Sequence, residues 1–154
     1  MTGADVPAVA ALYAAREGRP PERAVEVVSG WPAGSDDPDR IALVACRDGV
    51  VRAYAKAERL DPAAVGGDAP AGWYLTGLVV DPPARRHGLG RLLTEERIRL
   101  LAGRGEDVWC FANISNRPTI ALHEQLGFTE RTRDFRIPGV TFAGGRGVLL
   151  RRAL

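Results

Sequence analysis

A strand, a basic turn containing glycine and an amphipathic helix follow one another near the middle of the chain. The strand is predicted over Trp73–Val80, which is rich in aromatic and β-branched residues and has no charge. Asp81 and the two prolines after it end the strand, because proline fixes φ and removes a hydrogen-bond donor. The helix is predicted from about Leu89 to Ala102. The sequence therefore predicts one strand–turn–helix unit with its turn at residues 85–90.

The predicted helix has an apolar side and a charged side. Five leucines recur at helical spacing, and five charged residues lie mostly on the wetter side. The leucines are Leu89, Leu92, Leu93, Leu100 and Leu101, and the charged residues are Arg91, Glu95, Glu96, Arg97 and Arg99. Gly103 and Gly105 are expected to end the helix.

The turn Arg85-Arg86-His87-Gly88-Leu89-Gly90 has the composition of a phosphate-binding loop. Its two glycines let the backbone turn tightly and approach a ligand, and the N–H groups of the first helical turn then point at that ligand. A dinucleotide-binding loop would need a third glycine where Leu93 stands, and an ATPase-type loop would need Gly-Lys-Ser/Thr, which is absent. We expect a nucleotide-like cofactor here; an ordinary arginine-rich loop is the alternative for this pattern taken alone.

A second helix is predicted within Asn116–Phe128, after a strand at Asp107–Ala112. The helix segment begins with a capping residue, has Pro118 in its first turn and ends at Gly127. The preceding run of strand-forming residues is expected to lie beside Trp73–Val80 in a sheet.

Together, these segments resemble the acetyl-CoA-binding core of the GNAT superfamily of N-acetyltransferases. One family signature is Arg/Gln-x-x-Gly-x-Gly/Ala at a strand-to-helix turn, and the other is a helix spelled roughly Asn-x-x-Ala/Ser-x-x-Leu-Tyr-x-x-x-Gly-Phe. The Leu-His-Glu spelling at 122–124 is most similar to the phosphinothricin-type acetyltransferase branch. The matching residues are Arg85, Gly88 and Gly90 for the first signature, and Asn116, Leu122, Gly127 and Phe128 for the second.

The resemblance implies an α/β fold of the GNAT type, with a mostly antiparallel mixed sheet of splayed strands flanked by helices, in one domain over residues 1–154. Family members usually open with a strand, whereas here the first helix starts almost at Met1, so that strand is absent or lost to a late start. Asp48-Gly49 predicts a tight hairpin turn. The remaining predicted elements are helices at Val6–Arg16 and Arg23–Val28, and strands at Ile41–Cys46, Val50–Ala57, Glu130–Ile137 and Gly147–Ala153.

The resemblance also implies which residues hold acetyl-CoA. Backbone groups at the end of the first strand would pair with the pantetheine arm, and the amides of the turn would take the pyrophosphate. Asn116 would contact the cofactor arm near its thiol end. The expected cofactor-binding residues are Leu78, Val79, Val80, Arg85, Arg86, His87, Gly88, Leu89, Gly90 and Asn116.

His123 stands where the family often has a tyrosine that protonates the departing thiolate, so the resemblance implies a catalytic role for it; Thr119 replaces the usual Ala or Ser. An imidazole with an ordinary pKa near 6.5 is only about one quarter protonated at neutral pH, so it would need charged neighbours to act as an acid, or would relay protons through water. One alternative is a helix-surface histidine beside Glu124 that only packs. Another, a Cys110–His123 nucleophile pair, lacks the expected cysteine turn.

No general base follows from the sequence. The family often has a glutamate on the strand before the basic turn, where this chain has Leu75, Thr76 and Gly77. Four carboxylates elsewhere could reach the acceptor, and each also fits a solvated surface charge. They are Glu26, Asp36, Asp37 and Glu58.

The chemistry implied is direct attack of a neutral amine on the acetyl thioester, whose carbonyl is polarised by backbone N–H groups. The expected acceptor is a primary amine of a small molecule such as an amino acid or antibiotic. A protein N-terminus or lysine is an alternative acceptor, and a non-catalytic acyl-CoA-binding or sensing domain is an alternative function.

The acceptor pocket is expected at residues 18–34, 61–72 and 138–146. Trp31 and Phe142 in these segments could instead pack internally or form a homodimer contact. The acidic cluster at 36–39 is interpreted as a solvated turn.

Composition excludes several other functions. A formal charge of +2 with scattered basic residues does not indicate nucleic acid. The absence of a long apolar stretch and of a signal-peptide pattern indicates neither membrane nor export, which predicts a cytoplasmic protein. Two cysteines and two histidines at no metal-binding spacing predict no metal site. Only one of the 21 basic residues, Lys56, is a lysine, which indicates a GC-rich, bacterial genome.

Overall fold

The computed structural model describes residues 1–31, 37–61, 63 and 65–154. In that part of the chain the helices are α1 Val6–Glu17, α2 Pro21–Ser29, α3 Leu89–Leu101 and α4 Arg117–Gln125. The strands are β1 Arg40–Arg47, β2 Val50–Leu60, β3 Gly66–Gly67, β4 Gly72–Val80, β5 Val108–Asn113, β6 Thr129–Thr132, β7 Phe135–Arg136 and β8 Gly147–Arg152. The predicted elements are confirmed apart from one strand. None of the described helices is long and apolar enough to cross a membrane.

Six of the described strands form one mixed, mostly antiparallel sheet in the order β1-β2-β4-β5-β8-β6, with helices beside it, which confirms the predicted fold class. β4 and β5 are neighbours, as the sequence predicts. They are parallel, with Trp73 opposite Val108 and Leu75 opposite Cys110. β8 is antiparallel to both β5 and β6.

The hairpin between β1 and β2 has the predicted turn. Asp48 has a φ of 52° and Gly49 a φ of 74°. Positive φ at both central residues is what a two-residue type I′ turn requires, and asparagine, aspartate and glycine tolerate it best. The prediction that these strands are neighbours is confirmed.

The prediction of a single strand over Glu130–Ile137 is wrong. β6 ends at Thr132, and β7 begins at Phe135 in a separate two-stranded sheet with β3. The Thr132 hydroxyl accepts a hydrogen bond from the Asp134 backbone N–H at 3.1 Å and donates to the Asp68 carboxylate at 3.0 Å. Such local side-chain-to-backbone bonds compete with the strand ladder and turn the chain.

Contacts divide the chain into two compact units: residues 1–57 with 77–97, and residues 58–76 with 98–154. In the first unit, buried residues of α1 and α2 pack with Tyr54 and with Val79 of β4. Leu78 and Val80 belong to a different cluster, with Leu93 of α3. The two clusters follow from the alternation of side chains along a strand.

In the second unit, Tyr74 is fully buried in a cluster with Trp109 and Leu149. Its ring lies 6.5 Å from that of Trp109, and its hydroxyl donates a 2.6 Å hydrogen bond to the Pro70 carbonyl. Burial raises the pKa of Tyr74 to about 12.

This burial predicts a loss of stability at alkaline pH. The unfolded chain ionises its tyrosines near pH 10, whereas Tyr74 in the folded chain ionises only near pH 12. Between these values ionisation stabilises the unfolded state, so the free energy of unfolding is expected to fall by about 2 kcal/mol more in the wild type than in Tyr74→Phe. Urea titrations at several pH values between 9 and about 11.5 give the free energy of unfolding at each pH. The prediction would be contradicted if this free energy fell equally with pH in the two proteins.

The prediction for the faces of α3 is wrong at several positions. Arg97, expected on the wetter side, is 1% exposed, whereas Leu92, expected on the apolar side, is 57% exposed and Leu100 is 37% exposed. The buried residues recur three and four apart, which defines a single helix face. They are Leu93, Thr94, Arg97, Ile98 and Leu101. Arg97 lies within this face because its donors reach acceptors there, and Leu92 and Leu100 fall outside it.

Candidate functional site

The chain between β4 and α3 is anchored at its start by Asp81. The Asp81 N–H donates to the Arg52 carbonyl, and the Asp81 carboxylate pairs with the Arg52 guanidinium, both at 2.8 Å. One turn of 3₁₀ helix, Pro82–Ala84, follows, with the Ala84 N–H bound to the Asp81 carbonyl at 2.8 Å. These bonds fix the point from which residues 85–90 leave the sheet.

Two residues of the turn adopt left-handed backbone conformations, Arg86 with a φ of 67° and Gly88 with a φ of 81°. A Cβ on Gly88 would meet nothing within 4 Å, so glycine is needed there for its φ and not for space. The Leu92 N–H donates to the Gly88 carbonyl at 2.9 Å, which starts the helix. The N–H groups of residues 89–91 therefore lie at the open, positive end of α3, the geometry that binds anions.

Side chains of the turn hold its shape. The Arg85 Nε donates to the Val80 carbonyl at 3.2 Å, and His87 Nδ1 lies 2.7 Å from the Arg85 carbonyl. Because a carbonyl only accepts, His87 Nδ1 is the donor of that bond. Residues 85–88 are exposed, so a phosphate group can reach this basic turn from solvent.

The structure places nine of the ten predicted cofactor-binding residues, from Leu78 to Gly90, on one continuous segment of the first unit. Since Leu78, Val79 and Val80 use their side chains in core clusters, only their backbone groups are available to a ligand. Gly77, just before them, has a φ of 58°, and a Cβ there would lie 3.0 Å from Lys56 Cε. Sequence reasoning missed this irregularity, although a glycine inside a strand is itself the signal for one.

The tenth residue, Asn116, lies in the second unit as the N-cap of α4. Its side-chain oxygen accepts a hydrogen bond from the Thr119 N–H at 3.4 Å, and the residue is exposed. The predicted cap is confirmed, and a cofactor contact by Asn116 stays a prediction.

His123 is buried near the C-terminus of α4, with 3% of its surface exposed, so the alternative of a helix-surface histidine is wrong about its position. The Phe128 N–H bonds to the His123 carbonyl and the Gly127 N–H to the Glu124 carbonyl, both at 3.0 Å, and Gly127 has a φ of 84°. This is a Schellman motif. The His123 and Phe128 rings meet edge to face at 5.1 Å, the side-chain contact that accompanies such a motif.

The hydrogen bonding of His123 sets which proton it can move. Its Nδ1 lies 2.8 Å from the Thr119 carbonyl, so Nδ1 carries a hydrogen. The neutral ring can therefore only accept a proton at Nε2, and only the imidazolium can donate one there. His123 can serve as the acid of a transfer reaction in its cationic form, or as a proton relay from its neutral form.

The carboxylates that the sequence could not rank differ in their surroundings. Glu26 is an exposed partner of Arg23 at 2.9 Å, and Asp37 accepts a bond from the Asp39 N–H within a local turn. Glu58 is half-buried on β2 and accepts a 3.0 Å hydrogen bond from the Thr76 hydroxyl on β4. Asp36 lies outside the described residues.

Other sequence candidates have structural surroundings of their own. Trp31 packs against Tyr13 and Tyr54, at ring distances of 5.6 Å and 5.3 Å, with the Lys56 ammonium 4.5 Å above its ring. Phe142 packs edge to face on two other phenylalanine rings. Cys110 is 2% exposed in β5, whereas a nucleophilic cysteine needs access. In the described part of the chain, no three His, Cys, Asp or Glu residues are grouped to hold a metal ion.

The match to a known family agrees with this geometry. The model of the acetyltransferase (GNAT) family matches residues 8–128, which include both signature segments. The chain belongs to the acetyltransferase (GNAT) family. The resemblance inferred from the two motifs is thereby confirmed.

Individual members of the family share part of the sequence. A mycothiol acetyltransferase of Catenulispora acidiphila is 44% identical over 70 residues, covering 44% of this chain and 22% of the relative. The [ribosomal protein bS18]-alanine N-acetyltransferase of Escherichia coli K12 is 46% identical over 59 residues, covering 38% of this chain and 40% of the relative. The chain thus spans less than half the length of these curated relatives. A solved structure described as a phosphinothricin N-acetyltransferase superposes with a TM-score of 0.72 at 26% identity, over 100% of this chain and 95% of that one.

Proposed function

We propose that the protein is an N-acetyltransferase that moves the acetyl group of acetyl-CoA directly to a primary amine of a small molecule. The observation that carries this proposal is the basic turn at residues 85–90, which is exposed over 85–88, contains two left-handed residues and leads into the open N–H groups at the start of α3. It supports pyrophosphate binding because backbone donors at a helix N-terminus suit a dianionic group without needing one particular side chain. Membership of the acetyltransferase (GNAT) family supports the choice of acetyl-CoA.

The small-molecule acceptor rests on the likeness to the phosphinothricin N-acetyltransferase structure, over the whole chain. The curated relatives have names that refer to mycothiol and to the alanine of a ribosomal protein. An acceptor amine at a protein N-terminus is therefore the second candidate. The predicted cytoplasmic location stays a prediction.

In the proposed reaction the residues of this chain bind and orient acetyl-CoA and move protons. Backbone groups of Leu78–Val80 would hold the pantetheine arm in an extended conformation, and the turn would hold the pyrophosphate. His123, as the imidazolium, would give the Nε2 proton to the departing thiolate. Asn116, at the start of the same helix, would contact the cofactor arm.

The test measures binding and transfer separately. Titration calorimetry with acetyl-CoA reports binding, and thiol release with a colorimetric reagent reports transfer. The amine panel contains phosphinothricin, an aminoglycoside, free alanine, a peptide beginning with alanine, and a peptide whose only free amine is a lysine. Amine-dependent thiol release with a small molecule is expected. Thiol release with peptides alone would indicate that the acceptor is a protein. Binding of acetyl-CoA without thiol release in the presence of any amine would favour a sensing domain.

His123→Phe is expected to lower kcat about 10- to 100-fold without changing the affinity for acetyl-CoA, because the variant keeps a ring against Phe128 but loses the proton carrier. His123→Asn, which keeps a donor for the Thr119 carbonyl, separates this effect from the lost hydrogen bond. Steady-state rates on the best amine of the panel check it. If both variants turn over at the wild-type rate, His123 has only a packing role.

A further inference from the structure

We propose that Glu58 is the general base of the transfer reaction and that Thr76 positions it; this inference rests on the acetyltransferase activity proposed above. Thr76 lies on β4, before the basic turn at residues 85–90. Its hydroxyl donates a 3.0 Å hydrogen bond to Glu58 Oε2 on the neighbouring strand β2. The carboxylate of Glu58, a residue of β2, is therefore held at Thr76 of β4.

The surroundings of Glu58 suit a base better than those of the other described candidates. Glu58 and Thr76 are both partly buried and lie in the same compact unit. The side chain of Glu26 is 68% exposed and that of its partner Arg23 is 71% exposed, which is an ordinary solvated helix pair. The Asp37 carboxylate accepts a bond from the backbone of its own turn. Of these three carboxylates, only that of Glu58 is hydrogen-bonded to a side chain of a neighbouring strand, the Thr76 hydroxyl on β4.

The position along β4 also agrees with this role. Thr76 precedes Leu78, the first residue of the proposed pantetheine-binding stretch, by two residues, which is about 7 Å along a strand. The turn proposed for the pyrophosphate comes after Val80, at the opposite end of that stretch. The order along the chain is therefore Thr76, the proposed pantetheine-binding stretch and the turn, which is the order expected for a base that acts at the acetyl end of the cofactor. Gly77, with its left-handed φ, interrupts the regular strand between them.

The proposed step begins with a protonated amine. The acceptor arrives as R–NH₃⁺ and gives one proton to the Glu58 carboxylate, directly or through one water, which leaves a neutral amine. The amine lone pair forms a C–N bond to the acetyl carbonyl carbon, the C–S bond breaks, and its electron pair leaves with the thiolate of coenzyme A. The thiolate takes the Nε2 proton of the His123 imidazolium. The second amine proton, lost as the amide forms, returns His123 to the imidazolium through water. Glu58 gives its proton to solvent, so one proton is released in each turnover. The products are the N-acetylated amine and coenzyme A.

The test compares Glu58→Gln with the wild type. Glutamine keeps an oxygen that can accept the Thr76 hydrogen bond but cannot take a proton, so the strand contact is retained. We expect kcat/KM with the best primary amine to fall about 100-fold, with acetyl-CoA affinity unchanged. With hydroxylamine, which is neutral at the assay pH, the deficit is expected to shrink to under about fivefold, because no ammonium proton has to be removed. A role in stabilising the strands would lower both rates alike.

Two further comparisons test the positioning role and the specificity of the effect. Thr76→Val is expected to lower kcat about tenfold, the effect of one lost hydrogen bond to a charged group, and Thr76→Ser is expected to restore it. Glu106→Gln is the matched control, since Glu106 is also a carboxylate of the second unit held by a side chain, Arg59, at 2.9 Å. It should keep the wild-type rate.

The outcomes separate this inference from the proposed function. Transfer by the wild type with an equal rate in Glu58→Gln, or an equal deficit with hydroxylamine, would overturn the role of Glu58 and leave the acetyltransferase proposal intact. Absence of transfer by the wild type with every amine would overturn both. A low rate of Glu58→Gln with the primary amine, together with a rate near that of the wild type with hydroxylamine, would support both the role of Glu58 and the acetyltransferase proposal.

Discussion

Replacing Arg97 with alanine is expected to lower the free energy of unfolding by about 3–5 kcal/mol, the range for removing a large buried side chain. Arg97 is 1% exposed on α3. Its Nη1 donates to the Lys56 carbonyl of β2 at 2.7 Å, its Nε to the Leu93 carbonyl at 3.2 Å, and its Nη2 to the Thr94 hydroxyl at 3.1 Å. Alanine would leave a cavity and remove these three donors from their acceptors. Thermal unfolding should show a melting temperature lower by about 6–15 °C.

Two variants separate the contributions of volume and hydrogen bonding. Arg97→Met fills most of the space without donating, and we expect it to cost about 1–3 kcal/mol, less than alanine does. Arg99→Ala removes an exposed arginine from the same helix and should cost less than about 1 kcal/mol. If the Arg97→Met protein is as stable as the wild type, the hydrogen bonds of Arg97 add no net stability. If the Arg97→Ala protein is as stable as Arg99→Ala, the buried position contributes nothing.

Arg97 also shows where prediction from the sequence ends. The periodicity of α3 predicted the helix correctly, because helical spacing is a local property of the sequence. It predicted the side that faces the protein only in part. Leu93 and Leu101 are buried as expected, whereas Leu92 and Leu100 are exposed. The burial of Arg97 depends in part on an acceptor of a distant strand, the Lys56 carbonyl, which the sequence around the helix does not contain.

The candidate site, like α3, could be predicted from the sequence only in part. The turn at residues 85–90 and the cap at Asn116 could be predicted because each depends on a few adjacent residues. The pairing of Glu58 with Thr76 could not, because it depends on β2 being the neighbour of β4 in the sheet. The break after Thr132 was missed for a local reason, the competition of a threonine hydroxyl for the backbone.

Replacing Gly88 with alanine is expected to weaken the binding of acetyl-CoA at least about tenfold, provided the turn holds the pyrophosphate as proposed. An L-residue at a φ of 81° is strained by about 1–2 kcal/mol, although a Cβ there would contact nothing within 4 Å. The turn can relieve this strain only by changing the backbone angles that direct its N–H groups. Charge-assisted bonds from those N–H groups to phosphate would then lengthen and weaken.

Gly49→Ala is the matched control, because Gly49 has a φ of 74°, lies in the same compact unit and has equally open surroundings, but belongs to the β1–β2 hairpin. Both variants should lose a similar amount of stability, about 1 kcal/mol in urea titrations. Only Gly88→Ala should lose acetyl-CoA affinity, measured by calorimetry. Equal affinities in the two variants would show that the turn at 85–90 does not bind the cofactor through its backbone, since the strain is the same in both and only the position differs.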